Sequence, residues 1–161
     1  MKAQRTPLTL VTVVALASVA ILAFGATSLL ASPSAQITKR ITLAERIAGQ
    51  QFVDVGKKGP SVGDHNVVRS DALDASGKVV GRIDLDCTIT GVAAHMGGLC
   101  TGVLTLPGGQ LVSTFAWDGT GSATKQAITG GTGAYEDARG QMVVDVNGTD
   151  KHERFTVELV G

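Results

Sequence analysis

The chain has 161 residues with 14 basic and 14 acidic side chains, so its formal net charge is zero. This length suits a single domain, and the charge balance offers no basic surface for nucleic acid and no polybasic patch for anionic lipid. With 21 glycines and only 4% aromatic residues, the composition is typical of a turn-rich β protein.

Residues 1–35 predict a targeting segment. The basic stretch MKAQR precedes the uncharged run LTLVTVVALASVAILAFGATSLLA, the pattern of a secretory signal peptide, with cleavage expected near Ala31 or Ala35. About 23 uncharged residues are also enough to span a bilayer as an uncleaved anchor. Both alternatives place the folded part, residues 36–161, outside the cytoplasm, either secreted or attached to a membrane through this segment alone.

The rest of the chain alternates short β-strand patterns with turn sequences. The candidate strands are residues 40–47, 50–55, 65–74, 78–90, 99–106, 110–117, 123–129, 141–147 and 154–160. Turn-forming stretches such as GKKGPSVGD, PGGQ and NGTDK separate them. Eight or nine strands in this length predict an antiparallel barrel or a sandwich, and periodicity alone does not distinguish the two.

The two cysteines lie in consecutive predicted strands. In GRIDLDCTIT, apolar residues and Cys87 alternate with polar residues, as in a half-buried strand. A hairpin centred near Ala93 and Ala94 places Cys87 opposite Cys100, and opposed Cα atoms are ~4.5–5.5 Å apart, within disulfide range. Export favours a structural disulfide over the alternatives, a metal site or a thiol nucleophile.

The glycine-rich stretch AITGGTGAYEDARGQMVV, residues 127–144, raises the question of phosphate binding. It lacks the third glycine of a dinucleotide loop and the Gly-Lys-Ser/Thr ending of a P-loop. A strand rather than a helix follows it, so no helix N-terminus is available for an anion. We expect its glycines to provide positive φ angles in a compact connection between strands.

Other polar residues give weaker signals. Asp64 follows a glycine and is predicted to be a turn residue. His65, His95 and His152 lack ligand spacing, so no metal site is expected. Asn147 begins an Asn-Gly-Thr triplet that fits both a glycosylation site and a hairpin turn, and the turn is the preferred interpretation.

Three ordered motifs resemble those of known barrel families. GGTGAYEDARG resembles a signature of plant dirigent proteins, and GDHNVVRSDAL followed by GKVVGR resembles two further segments of that family. The same order of motifs is similar to that of allene oxide cyclases. The resemblance covers about residues 40–147 and implies an eight-stranded antiparallel β-barrel. Related barrels occur as trimers, so a homo-oligomer is left open.

The resemblance also suggests site residues. The Glu and Asn of allene oxide cyclases match Thr42 and Ala44, so strict allene oxide cyclase activity is not expected. The acid of dirigent proteins matches Glu45 and their Ala-Arg-Gly arginine matches Arg139. Strand parity leaves open whether Glu45 or Thr42 faces the interior. The candidate cavity residues are Glu45, Thr42, Ser70, Trp117, Tyr135 and Arg139.

The resulting functional hypothesis is an exported barrel that binds a small hydrophobic molecule and steers its cyclisation or coupling without a cofactor. If the protein is an enzyme, it is a cofactor-free isomerase or cyclase. A non-catalytic carrier of lipids or phenolics is one alternative, and a structural module with a filled interior is another. Because one fold hosts many functions, the orientation of Glu45 and Arg139 is expected to discriminate among them.

Overall fold

A computed structural model describes residues 36–119, 124–145 and 153–161. The described residues form eight antiparallel strands that close into a barrel in chain order. The strands are β1 (Ile37–Val53), β2 (His65–Leu73), β3 (Val79–Gly91), β4 (Gly97–Leu106), β5 (Gly109–Trp117), β6 (Thr124–Gly133), β7 (Arg139–Asp145) and β8 (Glu153–Val160). The all-β prediction is confirmed, and the barrel is the correct alternative to the sandwich.

Alternation along the strands determines which side chains fill the barrel. In β4 every second residue is buried, from Gly98 through Cys100, Gly102 and Leu104 to Leu106. Successive residues of a strand point to opposite faces, so these side chains face the interior. Leu104 and Leu106 share one hydrophobic core with inward residues of other strands and with two residues of the β6–β7 connection: Leu43, Ala72, Leu111, Ile128, Met142, Val144, Phe155, Val157 and Leu159 from strands, and Tyr135 and Ala138 from the connection.

The prediction of two strands at residues 40–47 and 50–55 is wrong, because a single strand of 17 residues occupies this region. The register between β1 and β2 shifts between Ile47 and Gly49, which is the signature of a β-bulge. In the sequence, Ala48 and Gly49 interrupt the strand pattern. The bulge instead absorbs one extra residue while pairing with β2 continues to Val53.

The hairpin of β3 and β4 forms as predicted. Cys87 pairs directly with Cys100, their Cα atoms are 4.0 Å apart, and the two side chains form a disulfide. Both cysteines are buried and share the inward face of their strands. The disulfide indicates that the chain folds in an oxidising environment.

The glycine-rich segment turns the chain, as expected, but its glycines serve two purposes. Gly133 and Gly140 have φ angles of 60° and 147°, a region that favours glycine. Gly131 instead permits close approach of the backbone, because a Cβ there would collide with the carbonyl oxygens of Tyr135 and Gln110. No helix follows this segment, since β7 begins at Arg139.

Asp64 anchors the long connection between β1 and β2, which confirms the predicted turn role. Its buried carboxylate accepts hydrogen bonds from the backbone N–H of Val55 at 2.7 Å and of Ser61 at 2.6 Å, and from the Ser61 hydroxyl at 3.2 Å. The Val55 N–H is the main reason why the pKa of Asp64 is lowered. The backbone carbonyl of Asp64 also accepts from the N–H of Ile89 at 2.8 Å, which ties the connection to β3.

Within the described ranges, no helix is long and apolar enough to cross a membrane. The predicted targeting segment, residues 1–35, lies outside the described residues, as do Asn147 and His152.

Replacing both cysteines by alanine is expected to lower the free energy of unfolding by about 3 kcal/mol, because the disulfide restricts a loop of about 14 residues in the unfolded chain. Chemical denaturation of the double variant and of the oxidised wild type measures this difference. Equal stability of the two proteins would contradict this expectation.

Asp64→Asn is expected to lower Tm by roughly 5 °C more than Asp74→Asn. Asp74 makes the same kinds of hydrogen bonds, to the Ser76 N–H, the Ser76 hydroxyl and the Lys78 N–H, but is less buried. The pKa of Asp64 lies below its ordinary value of 3.8. The ionised form therefore adds stability above that pH and loses it as acid protonates the carboxylate. Thermal melts of both variants and the wild type at pH 7 and pH 3 measure these differences in Tm. An equal drop in Tm for the two variants at pH 7 would contradict the expectation.

Candidate functional site

One end of the barrel is closed by the connection between β6 and β7. The backbone N–H of Ala134 donates to the carbonyl of Gly108 at 2.8 Å, which joins this connection to the β4–β5 turn. Tyr135 packs into the hydrophobic core beneath it, and Lys39 Nζ lies 4.7 Å from the centre of the tyrosine ring. Tyr135 therefore stabilises the closed end rather than lining a cavity, which corrects its assignment as a ligand-binding residue.

The opposite end of the barrel contains a pocket. Its volume is about 360 Å³, and its lining residues are Gln50, Phe52, Asn66, Met96 and Trp117. The Gln50 amide donates to Asn66 Oδ1 at 3.0 Å, and the two aromatic side chains provide apolar surface. A pocket of this size and character suits a small molecule. The predicted position of Trp117 at a cavity is thus compatible with the structure.

Glu45 faces the barrel interior. It shares the inward face of β1 with Ile41 and Leu43, and it pairs directly with Glu153 of β8 and Ala72 of β2. Burial raises the pKa of Glu45, the Ser70 hydroxyl opposes this shift, and repulsion from Glu153 adds to it. The parity question is therefore settled in favour of Glu45, whose carboxyl group can hold a proton more readily than a carboxyl in water.

Ser70 lies beside Glu45 on β2. It is completely buried, and its hydroxyl is close enough to lower the pKa of Glu45. However, no group meets the geometry of a full hydrogen bond with Ser70 Oγ. Among the described residues, it is the only buried side-chain nitrogen or oxygen atom that lacks such a bond. A buried hydroxyl without a partner typically costs about 1–3 kcal/mol. A ligand in the interior could remove this cost.

A second pair of polar side chains, Ser113 and Gln126, lies inside the barrel. Ser113 of β5 pairs with Gly102, and Gln126 of β6 pairs with Met142, so both face inward. The Ser113 hydroxyl donates to Gln126 Oε1 at 2.8 Å. The sequence contained a signal for this pair, because Ser113 interrupts an otherwise apolar alternation from Leu111 to Trp117.

Two further candidates lie on the outside of the barrel. Thr42 is on the outer face of β1, where its hydroxyl is 3.2 Å from that of Thr156, because it alternates with the inward residues Ile41 and Leu43. Arg139 begins β7 on the outer face and donates to the neighbouring carbonyl of Ala138 at 2.8 Å. Neither residue shares the interior with Glu45. Thr42 instead lines a groove of about 450 Å³ on the outer surface, and the assignment of both residues to a ligand site stays a prediction.

Within the described residues, no three His, Cys, Asp or Glu side chains are placed to hold a metal ion. The imidazole of His65 lies on the outer surface, where its Nδ1 is 2.9 Å from a carboxylate oxygen of Asp86. The polar side chains that the described residues place on the inward face therefore include the carboxyl groups of Glu45 and Glu153, which pair directly, together with hydroxyl groups and amides.

A family model for the allene oxide cyclase barrel-like domain matches residues 41–160. The chain belongs to this family. The match spans the barrel from Ile41 of β1 to the end of β8, and it includes both Glu45 and the pair formed by Ser113 and Gln126. A comparison with curated proteins gave no match.

Several solved structures are similar to this allene oxide cyclase-like barrel. A pyocyanin demethylase is 26% identical with a TM-score of 0.67, over 76% of this chain and 100% of the demethylase. A Diels–Alderase from Streptomyces koyangensis is 16% identical with a TM-score of 0.58, over 75% of this chain and 64% of the other. A pterocarpan synthase dirigent protein is 17% identical with a TM-score of 0.58, over 78% and 97%. The last two similarities show the fold alone.

Glu45→Gln is expected to raise Tm by a few degrees at pH 7 and to have little effect near pH 4. Because the folded-state pKa lies above the ordinary value of 4.5, Glu45 favours the folded state below that pH and loses this contribution as the pH rises through the folded-state pKa. Thermal melts across this pH range measure the effect.

Glu158→Gln is the matched control, and the opposite sign is expected. The pKa of Glu158 is lowered by hydrogen bonds, first from Gln141 and then from Arg40, on the outer face of the barrel. Its ionised form therefore adds stability at neutral pH and loses it in acid. A lower Tm for both variants at pH 7 would show that Glu45 is stabilised as a carboxylate.

Proposed function

We propose that this protein binds a small, mainly hydrophobic molecule inside the barrel and steers its cyclisation or isomerisation by proton transfer through Glu45, without a cofactor. The observation that carries this proposal is the inward carboxyl group of Glu45, with a raised pKa, next to the unpartnered hydroxyl of Ser70. An interior built mainly for stability would avoid such a pair, because buried unpaired polar groups cost free energy.

The chemistry requires only that a proton moves. The protonated carboxyl group of Glu45 donates to a basic atom of the ligand, and the resulting carboxylate takes a proton from another atom of the same molecule. The ligand is isomerised, and the protein returns to its starting state. General acid–base catalysis of this kind typically contributes about 10²–10⁴-fold to a rate. Ser70 is placed to donate a hydrogen bond to the carboxylate between the two steps.

The apolar walls would hold the reactive conformer. Phe52 and Trp117 lie at the mouth, where aromatic side chains can stack on an apolar ligand. The similar solved structures are named for a cycloaddition, for pterocarpan synthesis and for demethylation of pyocyanin. These names support a barrel that acts on organic molecules, while the choice of reaction rests on Glu45.

We also propose that the protein is exported. The disulfide between Cys87 and Cys100 and the apolar segment in residues 1–35 support this location. A non-catalytic carrier is the second candidate function. The outward position of Arg139 favours it, because the arginine then does not face Glu45 as the basic member of a catalytic pair.

Native mass spectrometry of the protein from its own host tests for a bound ligand. We expect a hydrophobic molecule of reproducible mass to accompany the folded protein. A protein that is repeatedly empty, and whose Tm does not change with fatty-acid, polyketide or phenolic mixtures, would contradict both the catalytic and the carrier functions.

Incubation of the isolated ligand with the protein in D2O then separates catalysis from binding. The wild type and Glu158→Gln are expected to introduce deuterium into a rearranged product, and Glu45→Gln is expected to be at least about 100-fold slower because it lacks the exchangeable carboxyl proton. Product mass and NMR spectra measure this. Binding with neither rearrangement nor deuterium uptake in the wild type would identify a carrier.

A further inference from the structure

The pairing register places Ser113 and Gln126 directly across the barrel from Glu45. From Thr114 of β5, paired residues lead through β6, β7 and β8 to Arg40 of β1. In the other direction they lead through β4, β3 and β2 to Gln51 of β1. β1 and β5 are four strands apart in both directions around the barrel. The position on β1 at the same height along the barrel axis as Thr114 is therefore midway between Arg40 and Gln51, at Glu45. Ser113 precedes Thr114 and, like Glu45, faces inward.

The same register explains why one bound molecule would contact both Glu45 on one side of the barrel and Gln126 on the opposite side. An eight-stranded barrel has an interior that holds either packed side chains or one small ligand. The buried core extends to Ala72, the partner of Glu45, and to Met142, the partner of Gln126, whereas Glu45 and Gln126 themselves remain partly exposed although they face inward. A ligand at this height along the barrel axis would therefore lie between Glu45 and Ser70 on one side and Ser113 and Gln126 on the other.

The Gln126 amide is held in place but retains hydrogen-bonding capacity. Its Oε1 accepts from Ser113, and no further hydrogen bond of Gln126 to another described residue is present, which leaves the two protons of Nε2 available. Gly102 provides the space for this arrangement, because a Cβ at that position would lie 3.0 Å from Ser113 Oγ. The pair is thus an oriented donor on an otherwise apolar wall.

We propose that the Gln126 amide, oriented by Ser113, binds a hydroxyl or carbonyl oxygen of the ligand while Glu45 acts on the opposite side of the same molecule. The ligand class is then a small aromatic or polyene compound that carries an oxygen substituent. The inference rests on the proposed function, since it requires a ligand between the two walls. Gln126 is a binding residue that determines specificity, and Ser113 is a positioning residue.

The test compares two probes of nearly equal shape, 2-naphthol and 2-methylnaphthalene, by isothermal titration calorimetry. The wild type is expected to bind 2-naphthol about tenfold more tightly, the effect of one hydrogen bond to a preorganised donor. In Gln126→Leu this preference is expected to fall below about twofold, while the affinity for 2-methylnaphthalene changes by less than about twofold.

Gln110→Leu is the matched control, because Gln110 is exposed on the outer side of β5, where its amide donates to the Thr105 hydroxyl at 3.3 Å. It should retain the tenfold preference. Should Gln126→Leu fail to fold, Ser113→Ala removes the hydroxyl that orients the amide and is expected to reduce the preference by about threefold. Circular dichroism and Tm establish that each variant is folded.

The outcomes separate this inference from the proposed function. If Gln126→Leu retains the preference, or if only Glu45→Gln abolishes it, the oxygen atom is bound elsewhere and the inference is overturned. Equal binding of both probes by the wild type overturns the inference but leaves the hydrophobic binding function standing. Failure of the wild type to bind either probe counts against both.

Discussion

Closure of the sheet through the pairing of β1 with β8 is the constraint on which the rest of this structure depends. The two strands pair over Ile37–Glu45 of β1, whereas β1 continues to pair with β2 as far as Val53. This offset is the stagger that tilts the strands of a closed barrel. It also determines the height at which each inward side chain lies, and therefore which residues face one another across the interior.

The interior of the barrel combines a hydrophobic core with a few polar side chains. Toward the closed end, aliphatic and aromatic side chains around Tyr135 form a continuous buried core. Glu45 and Ser70 depart from this pattern, because one has a raised pKa and the other has no full hydrogen bond. Such departures from favourable burial are typical of functional sites, where stability is given up for activity. The apolar end provides the stability that makes this possible.

Much of the fold could be predicted from the sequence, because local alternation and turn chemistry are strong in this chain. The register of the β3–β4 hairpin followed from period-two patterning, and the disulfide followed from that register. The long first strand could not be predicted, since a bulge at Ala48 and Gly49 looks like a turn until the partner strand is known. The inward face of β1 was ambiguous because Glu45 interrupts the apolar face of the strand, whereas the resemblance to allene oxide cyclases assigns a site position to Thr42 on the other face. Pairing of Leu43 with Phe155 and of Ile41 with Val157 decides between the two faces.

The site was less predictable because it depends on contacts between distant strands. Glu45 was recognisable, yet its relation to Ser113 and Gln126 follows only from closure of the barrel. Arg139 was misplaced because a motif gives its position in the chain but not the face of the strand on which it lies. Sequence periodicity fixes a face only when the strand boundaries are known, and the glycines around Arg139 obscure where β7 begins.

The open end raises a further physical problem, since the pocket there interrupts the dense packing that holds the closed end together. Two other interactions stabilise this region. The disulfide joins β3 to β4 outside the main hydrophobic core, and the buried carboxylate of Asp64 fixes the connection between β1 and β2. The backbone bond from Ile89 to Asp64 links the two. Covalent and charge-assisted bonds thus supplement hydrophobic packing at the open end of the barrel.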